Sequence, residues 1–291
     1  MTYEKKGYLA IFSAVLLWSL SGFIVKTVDA SAIWITLIRS AVGGIFLSGF
    51  IRSKPIHPKK YLILAAISMA LFLLTLTITT QISTSAMAIS LQYTAPMYLI
   101  IYNFFKYRKV EKKNLVVFLF IFIGVIINIL GIFKERNYLA MFTGLAIGLS
   151  FVFYSQFLQK VKEGSPLGIV SVINLICCAF YILLLPFEKA NPPSKISDLV
   201  LIILAGILIS GLSYALYSWG LRRVRLEKAV IIGLGEPILN PIWVLLFNGE
   251  VPPKNVVLGM VFILGGAVID MFSSKYEVEK EREEKKRVNI I

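Results

Sequence analysis

Arg39 and Glu236 are the two ionisable residues that stand near the middle of long apolar stretches. A charge at the centre of a hydrocarbon layer costs at least about 2.5–3.5 kcal/mol on insertion scales, so each one asks for a reason. Arg39 is about eight residues into its stretch, which at about 1.5 Å per residue is roughly 12 Å deep, close to the midplane of a ~30 Å layer. An arginine there could hold a carboxylate or phosphate through paired N–H donors. A glutamate at similar depth could carry a proton or meet a cationic group. The plainer alternative is that the two neutralise each other, or bond freed backbone carbonyls, and touch nothing that moves.

Glu236 is followed by Pro237, which removes an intrahelical hydrogen bond and leaves the carbonyl four residues earlier, at Gly233, without its usual donor. With Gly233, Gly235 and Pro241 close by, this stretch is expected to kink, and Pro96 is the counterpart in an earlier one. Interruptions at matching places point towards a binding region, although a packing kink would account for each. Polar and aromatic residues stand at comparable depth: Trp18, Gln92, Tyr93, Tyr98, Tyr154, Gln156, Asn174, Tyr214, Asn240 and Trp243. Amides and hydroxyls could orient a cargo whose apolar part packs on ring faces. Taken singly, each is more often an interhelical hydrogen bond or an interfacial anchor.

Other chemistry is poorly supplied. His57 is the sole histidine and lies in a basic loop, so no histidine metal cluster or Ser-His-Asp triad can be assembled. The absence of a phosphate-binding Walker loop argues against ATP-driven pumping by this chain. Cys177 and Cys178 are neighbours pointing to different helix faces, which suits neither a disulfide framework nor a metal site. No cofactor and no catalytic activity are expected.

The elements that position these residues follow from hydropathy. A composition 57% hydrophobic with a mean hydropathy of +0.79 is too apolar for a soluble domain of 291 residues. Ten apolar stretches long enough to cross a bilayer are read at residues 7–26, 31–51, 60–80, 84–105, 114–133, 138–159, 166–187, 197–219, 227–248 and 255–273. Backbone hydrogen bonding in lipid makes each of them helical, so the fold class is an all-α integral membrane protein. The first stretch is too long for a cleavable signal and lacks a small-residue cleavage site.

A net charge of +14 could suggest nucleic acid, but the basic residues sit in short tracts between apolar stretches, where they encode orientation. With the N-terminus inside, the inner segments hold 23 basic residues and the outer ones six: Lys26, Lys134, Arg136, Lys189, Lys195 and Lys254. Both termini are therefore expected in the cytoplasm, with the chain multi-pass in the cytoplasmic membrane. Residues 274–291 form a charged tail expected to be solvated, with lipid-headgroup anchoring as the alternative.

The chain also repeats itself. Tyr8 to Ser13 is echoed by Tyr138 to Thr143, and Ala88 to Pro96 matches Ala229 to Pro237 at an offset of 141. At that offset Lys113, Asn114, Val116 and Gly124 fall on Lys254, Asn255, Val257 and Gly265. Residues 7–133 and 138–273 thus read as two five-helix repeats, and an odd number of spans forces the second to enter from the opposite side. Inverted halves of this kind can open a central cavity first to one face and then to the other.

The fourth stretch of each half carries a further pattern. In the first half it runs Ala86, Ala88, Tyr93, Pro96, then Gly124; in the second, Ala229, Glu236, Pro237, Asn240, Pro241, Gly249, Glu250, then Gly265. This resembles the ten-span branch of the drug/metabolite transporter superfamily, built from two EamA-type repeats, over nearly all of residues 7–273. Lys109 departs from the pattern, standing where the second half has Glu250. The resemblance implies a pore lined by spans one to four and six to nine, with five and ten peripheral. It implies transport, with export the favoured direction, of a small organic metabolite or drug-like solute driven by a proton gradient or by the solute's own. The expected partners are that solute, protons and membrane lipids, not nucleic acid. Rival readings are a lipid-handling flippase, a polytopic membrane enzyme, or a sensor or assembly scaffold.

Overall fold

The computed structural model describes residues 3–53, 56–108, 112–134, 137–187, 191–224 and 226–288. Lys54, Lys109, Arg136, Lys189 and Arg225, which enter the charge count above, lie outside the described residues. Among the described residues there is no strand, and each expected stretch coincides with a helix or with a helix broken into pieces.

The helices in chain order are α1 (Tyr3–Ser19), α2 (Ser21–Thr27), α3 (Ala32–Phe46), α4 (Lys59–Ile82), α5 (Ser85–Gln92), α6 (Ala95–Tyr107) and α7 (Lys112–Lys134). They continue with α8 (Tyr138–Leu158), α9 (Pro166–Leu184), α10 (Ile196–Ala205), α11 (Ser213–Leu221), α12 (Leu226–Gly233), α13 (Gly235–Asn248) and α14 (Lys254–Val288). Among the described residues seven helical stretches are long and apolar enough to cross a membrane, and Ala32–Phe46 and Asn114–Leu130 are shorter apolar helices. The remaining expected stretch is divided into α5 and α6. The chain is an all-α membrane protein.

Local chemistry explains where helices begin. Thr84, Asn137 and Ser165 cap α5, α8 and α9 by accepting from the amides of Met87, Ala140 and Gly168, and Pro166 takes the first position of α9, where a missing N–H costs nothing. The interruptions are equally specific. α5 and α6 part at Tyr93 and Thr94, just before Pro96, while α12 and α13 part at Leu234, just before Pro237. Two further irregularities have no proline to announce them: the break at Leu20 between α1 and α2, and a π-helical turn over Gly206–Leu212 that joins α10 to α11.

Packing puts α4 against α8, α1 against α11, α3 against α9 and the π turn, and α7 against α14. The last pair stands partly outside, with Leu119, Phe122, Ile123 and Ile126 of α7 and Leu258 and Val261 of α14 exposed. Small residues let these two helices touch, as helix association in lipid requires. A Cβ placed on Gly124 would lie 2.6 Å from the carbonyl oxygen of Gly259 and 2.7 Å from Ile263. Gly124→Ala is therefore expected to lower stability by about 1–3 kcal/mol, as overpacking does, and thermal unfolding of the detergent-solubilised chain would read it. At the other end α14 runs on through the charged tail to Val288.

Candidate functional site

The breaks converge on one place. Trp18 and Ser21 flank the α1–α2 break, Gln92, Tyr93 and Pro96 the α5–α6 break, Gly233 and Glu236 the α12–α13 break, and Ile209 comes from the π turn; all line a cavity of about 470 Å³. That volume lies within the usual range for small-molecule sites, about 300–1,000 Å³. Backbone freed from regular helical bonding at membrane depth is tolerated only where protein or a cavity surrounds it, which is the situation here.

Two aromatic walls enclose the space. On one side the Trp18 ring meets Tyr214 edge-on at 5.3 Å between centroids and Tyr217 at 5.0 Å. On the other, Phe151 packs on Phe72 at 5.2 Å and on Tyr154 at 6.2 Å. Lining residues recur at helical spacing of three on α8, with Phe151 and Tyr154, and on α11, with Tyr214 and Tyr217, so each of these helices offers one narrow stripe.

Arg39 and Glu236 both border this cavity, yet no ion pair joins them. The Arg39 Nε donates to Ser210 Oγ at 2.9 Å, which fixes one edge of the guanidinium against the π turn. The Glu236 carboxylate has no hydrogen-bond partner among the described residues and is partly exposed, to the cavity. The two charges are not in direct contact, but they border the same cavity and lie within electrostatic reach of each other. The carbonyl of Gly233, freed by Pro237, accepts a hydrogen bond from the Tyr93 hydroxyl at 3.3 Å, tying the α12–α13 break to the α5–α6 break.

Of the residues singled out by sequence, Trp18, Arg39, Gln92, Tyr93, Pro96, Tyr154, Tyr214 and Glu236 line the cavity. The others do not. Tyr98 donates to the Leu145 carbonyl at 2.8 Å and so fastens α6 to α8. Gln156 is exposed, because two residues beyond Tyr154 carry a helix about 200° round to its opposite face. Asn174 is buried and bonds the Val170 carbonyl of its own helix at 2.9 Å. The Trp243 indole donates to Ser19 Oγ at 2.9 Å, a strut between α13 and the end of α1. Pro237 is buried beside the break, and Asn240 faces a much smaller chamber adjoining the cavity. Ser21, Phe72, Phe151, Ile209 and Tyr217 belong to the lining without having been singled out, and Ala267 brings α14, expected to be peripheral, to the wall.

The sequence profile of the EamA-like transporter family matches residues 5–130 and again residues 137–271. The chain belongs to the EamA-like transporter family. Two family matches in tandem account for almost the whole length. An uncharacterized transporter of Archaeoglobus fulgidus is 25% identical over 259 residues, covering 89% of this chain and 93% of its own. A second uncharacterized transporter, from Clostridium kluyveri, is 29% identical over 80 residues, 28% of this chain and 26% of its own. A solved crystal structure superposes with a TM-score of 0.59 at 15% identity, over 90% of this chain and 96% of that one, and so shares this chain's fold. The protein is a multi-pass membrane transporter.

Proposed function

We propose that the chain exports a small organic solute across the cytoplasmic membrane by alternating access, without catalysis, through ten spans arranged as two inverted five-helix halves at residues 7–133 and 138–273 with both termini inside. The observation that carries this reading is a central cavity lined by Arg39 and Glu236, joined by no ion pair, with aromatic walls between. Arg39 takes an anionic group of the cargo, Glu236 a cationic group or a proton, and the rings of Trp18, Tyr154 and Tyr214 take its apolar part. Pro96 and Pro237 mark the hinges. Packing supports the inverted halves: exchanging them turns the α4–α8 contact into the α11–α1 contact, and returns α3–α9 and α7–α14 to themselves. A packed centre, as a scaffold would have, does not fit a cavity of about 470 Å³.

The test is untargeted metabolite profiling of medium and cytoplasm from a bacterial host carrying either the wild-type chain or Glu236→Gln at equal membrane abundance. One class of solute is expected to move outward with the wild type and to stall with the variant. If no solute moves, a lipid cargo takes the place of a soluble one.

A further inference from the structure

At one end of the bundle a charged pair ties three separate segments together. Lys26 of α2 lies 2.7 Å from Glu250, in the linker between α13 and α14, and its Nζ donates to the Ser83 carbonyl, between α4 and α5, at 2.6 Å. The other Glu250 oxygen accepts from the backbone N–H of Ser85 at 2.9 Å. Both charged side chains are largely shielded, 17% and 19% exposed, so this pair is screened less than a surface ion pair. Asn248 adds a bond to Thr27 at 2.9 Å.

Directly beneath lies the smaller chamber, a nearly closed space of about 10 Å³ with polar Thr77, Thr80, Ser85 and Asn240 beside apolar Val25 and Ile89 on its walls, and with Ser21, Arg39 and Leu76 shared between it and the main cavity. Across it Asn240 bonds Ser85 and Ser21, whereas the Thr77 and Thr80 hydroxyls are used on carbonyls of their own helix at 2.8 Å each. Among the described residues, Asn240 and Glu250 each bond to both α2 and α5, and Asn248 adds the bond from α13 to Thr27 of α2. Gly22 permits the approach, since a Cβ there would fall on Ser85 Oγ and Asn240 Oδ1.

We propose that Lys26 and Glu250 form an ionic latch that closes this end of the transporter, and that its release widens the small chamber, closed in this structure, into a route from the main cavity past Arg39. At the positions that the sequence repeat equates with Lys26 and Glu250, the other half carries no such pair. The sequence offsets of 130 and 141 that relate the repeats carry Lys26 to Gln156 and Glu250 to Lys109, an amide and a second cation that cannot pair as ions. A latch present at one end only biases the resting protein towards closure at that end, and breaking it moves the population the other way.

The proposal rests on the alternating-access reading, but its test needs no cargo, so failure of the latch and failure of transport are seen separately. In full-length chain held in nanodiscs, with Cys177→Ala and Cys178→Ala, a thiol reporter is placed in the chamber as Thr80→Cys or, in a second protein, in the main cavity as Ala267→Cys. Labelling rates with a charged maleimide are compared with and without Glu250→Gln or Lys26→Met. Release of the latch is expected to raise labelling at position 80 by about tenfold or more while lowering it at position 267, with Lys26→Arg staying near the intact rate. Hydrogen exchange over residues 83–88 in the chain with its native cysteines gives a second measurement and is expected to rise in both latch variants. Unchanged labelling at position 80 with unchanged exchange overturns the proposal. So does a rise at both reporter positions, which would mean general loosening rather than a switch between two closures.

Discussion

Glu236→Gln is expected to leave the fold and membrane abundance intact and to remove the dependence of transport on pH. The side chain sits in the first turn of α13, faces the cavity and has no hydrogen-bond partner among the described residues, so an amide of the same shape breaks no structural contact. What changes is chemistry: an amide neither binds nor releases a proton in the accessible range, and it offers no charge to a cationic cargo group. Uptake or efflux by reconstituted protein, measured at fixed cargo concentration over about pH 5–8, is expected to vary with pH for the wild type and to be flat for the variant. The rate under an imposed proton gradient is expected to fall by about tenfold or more, a loss of at least ~1.4 kcal/mol. A variant that keeps both the rate and the pH profile removes any proton role from Glu236. One that loses rate while the profile survives leaves it as a cargo contact only.

The fold was readable because lipid reduces the choices. Once ten apolar stretches are found, hydrogen-bond satisfaction makes them helices, and the structure places helix on each of them. What the sequence announced least was irregularity without proline. Pro96 and Pro237 stand beside breaks, but nothing in Trp18-Ser19-Leu20-Ser21 marks the α1–α2 break, and the π turn at Gly206–Leu212 depends on how α3 presses on it through Gly43 and Ser210. The site shows the same divide. Arg39 and Glu236 stood out because charge is rare at that depth, and Tyr154 and Tyr214 because aromatic hydroxyls are conspicuous. Their neighbours Phe151 and Tyr217, one helical turn away on the same stripe, line the same cavity. In a helix apolar on every face the pattern does not say which stripe turns inward, and this is why Gln156 and Trp243 were drawn into the expected set while Ile209 was not. Lys26 was visible as an outer basic residue and Glu250 as part of the second half's pattern, but only the folded chain brings residues 224 positions apart into contact.

Arg39→Leu is expected to separate function from stability most sharply. Among the described residues Arg39 makes one side-chain bond, Nε to Ser210 Oγ, and no ion pair, so its charge at membrane depth is compensated only at a distance, chiefly by Glu236 on the same cavity. Replacing such a group by an apolar one of similar length removes a desolvation cost, and thermal stability in detergent is expected to stay level or rise. If the guanidinium is the site's hold on an anionic group of the cargo, its loss removes an interaction of about 2–5 kcal/mol, and transport of that cargo is expected to fall by about a hundredfold or more. Arg39→Lys keeps the charge but not the forked geometry, and is expected to recover only part of the loss. Ser210→Ala, which frees the guanidinium without removing it, is expected to weaken apparent affinity more than the maximal rate. The opposite pattern, a chain that melts early yet transports normally once folded, would make Arg39 a strut between α3 and the π turn and would leave the cavity's anionic contact to be found elsewhere.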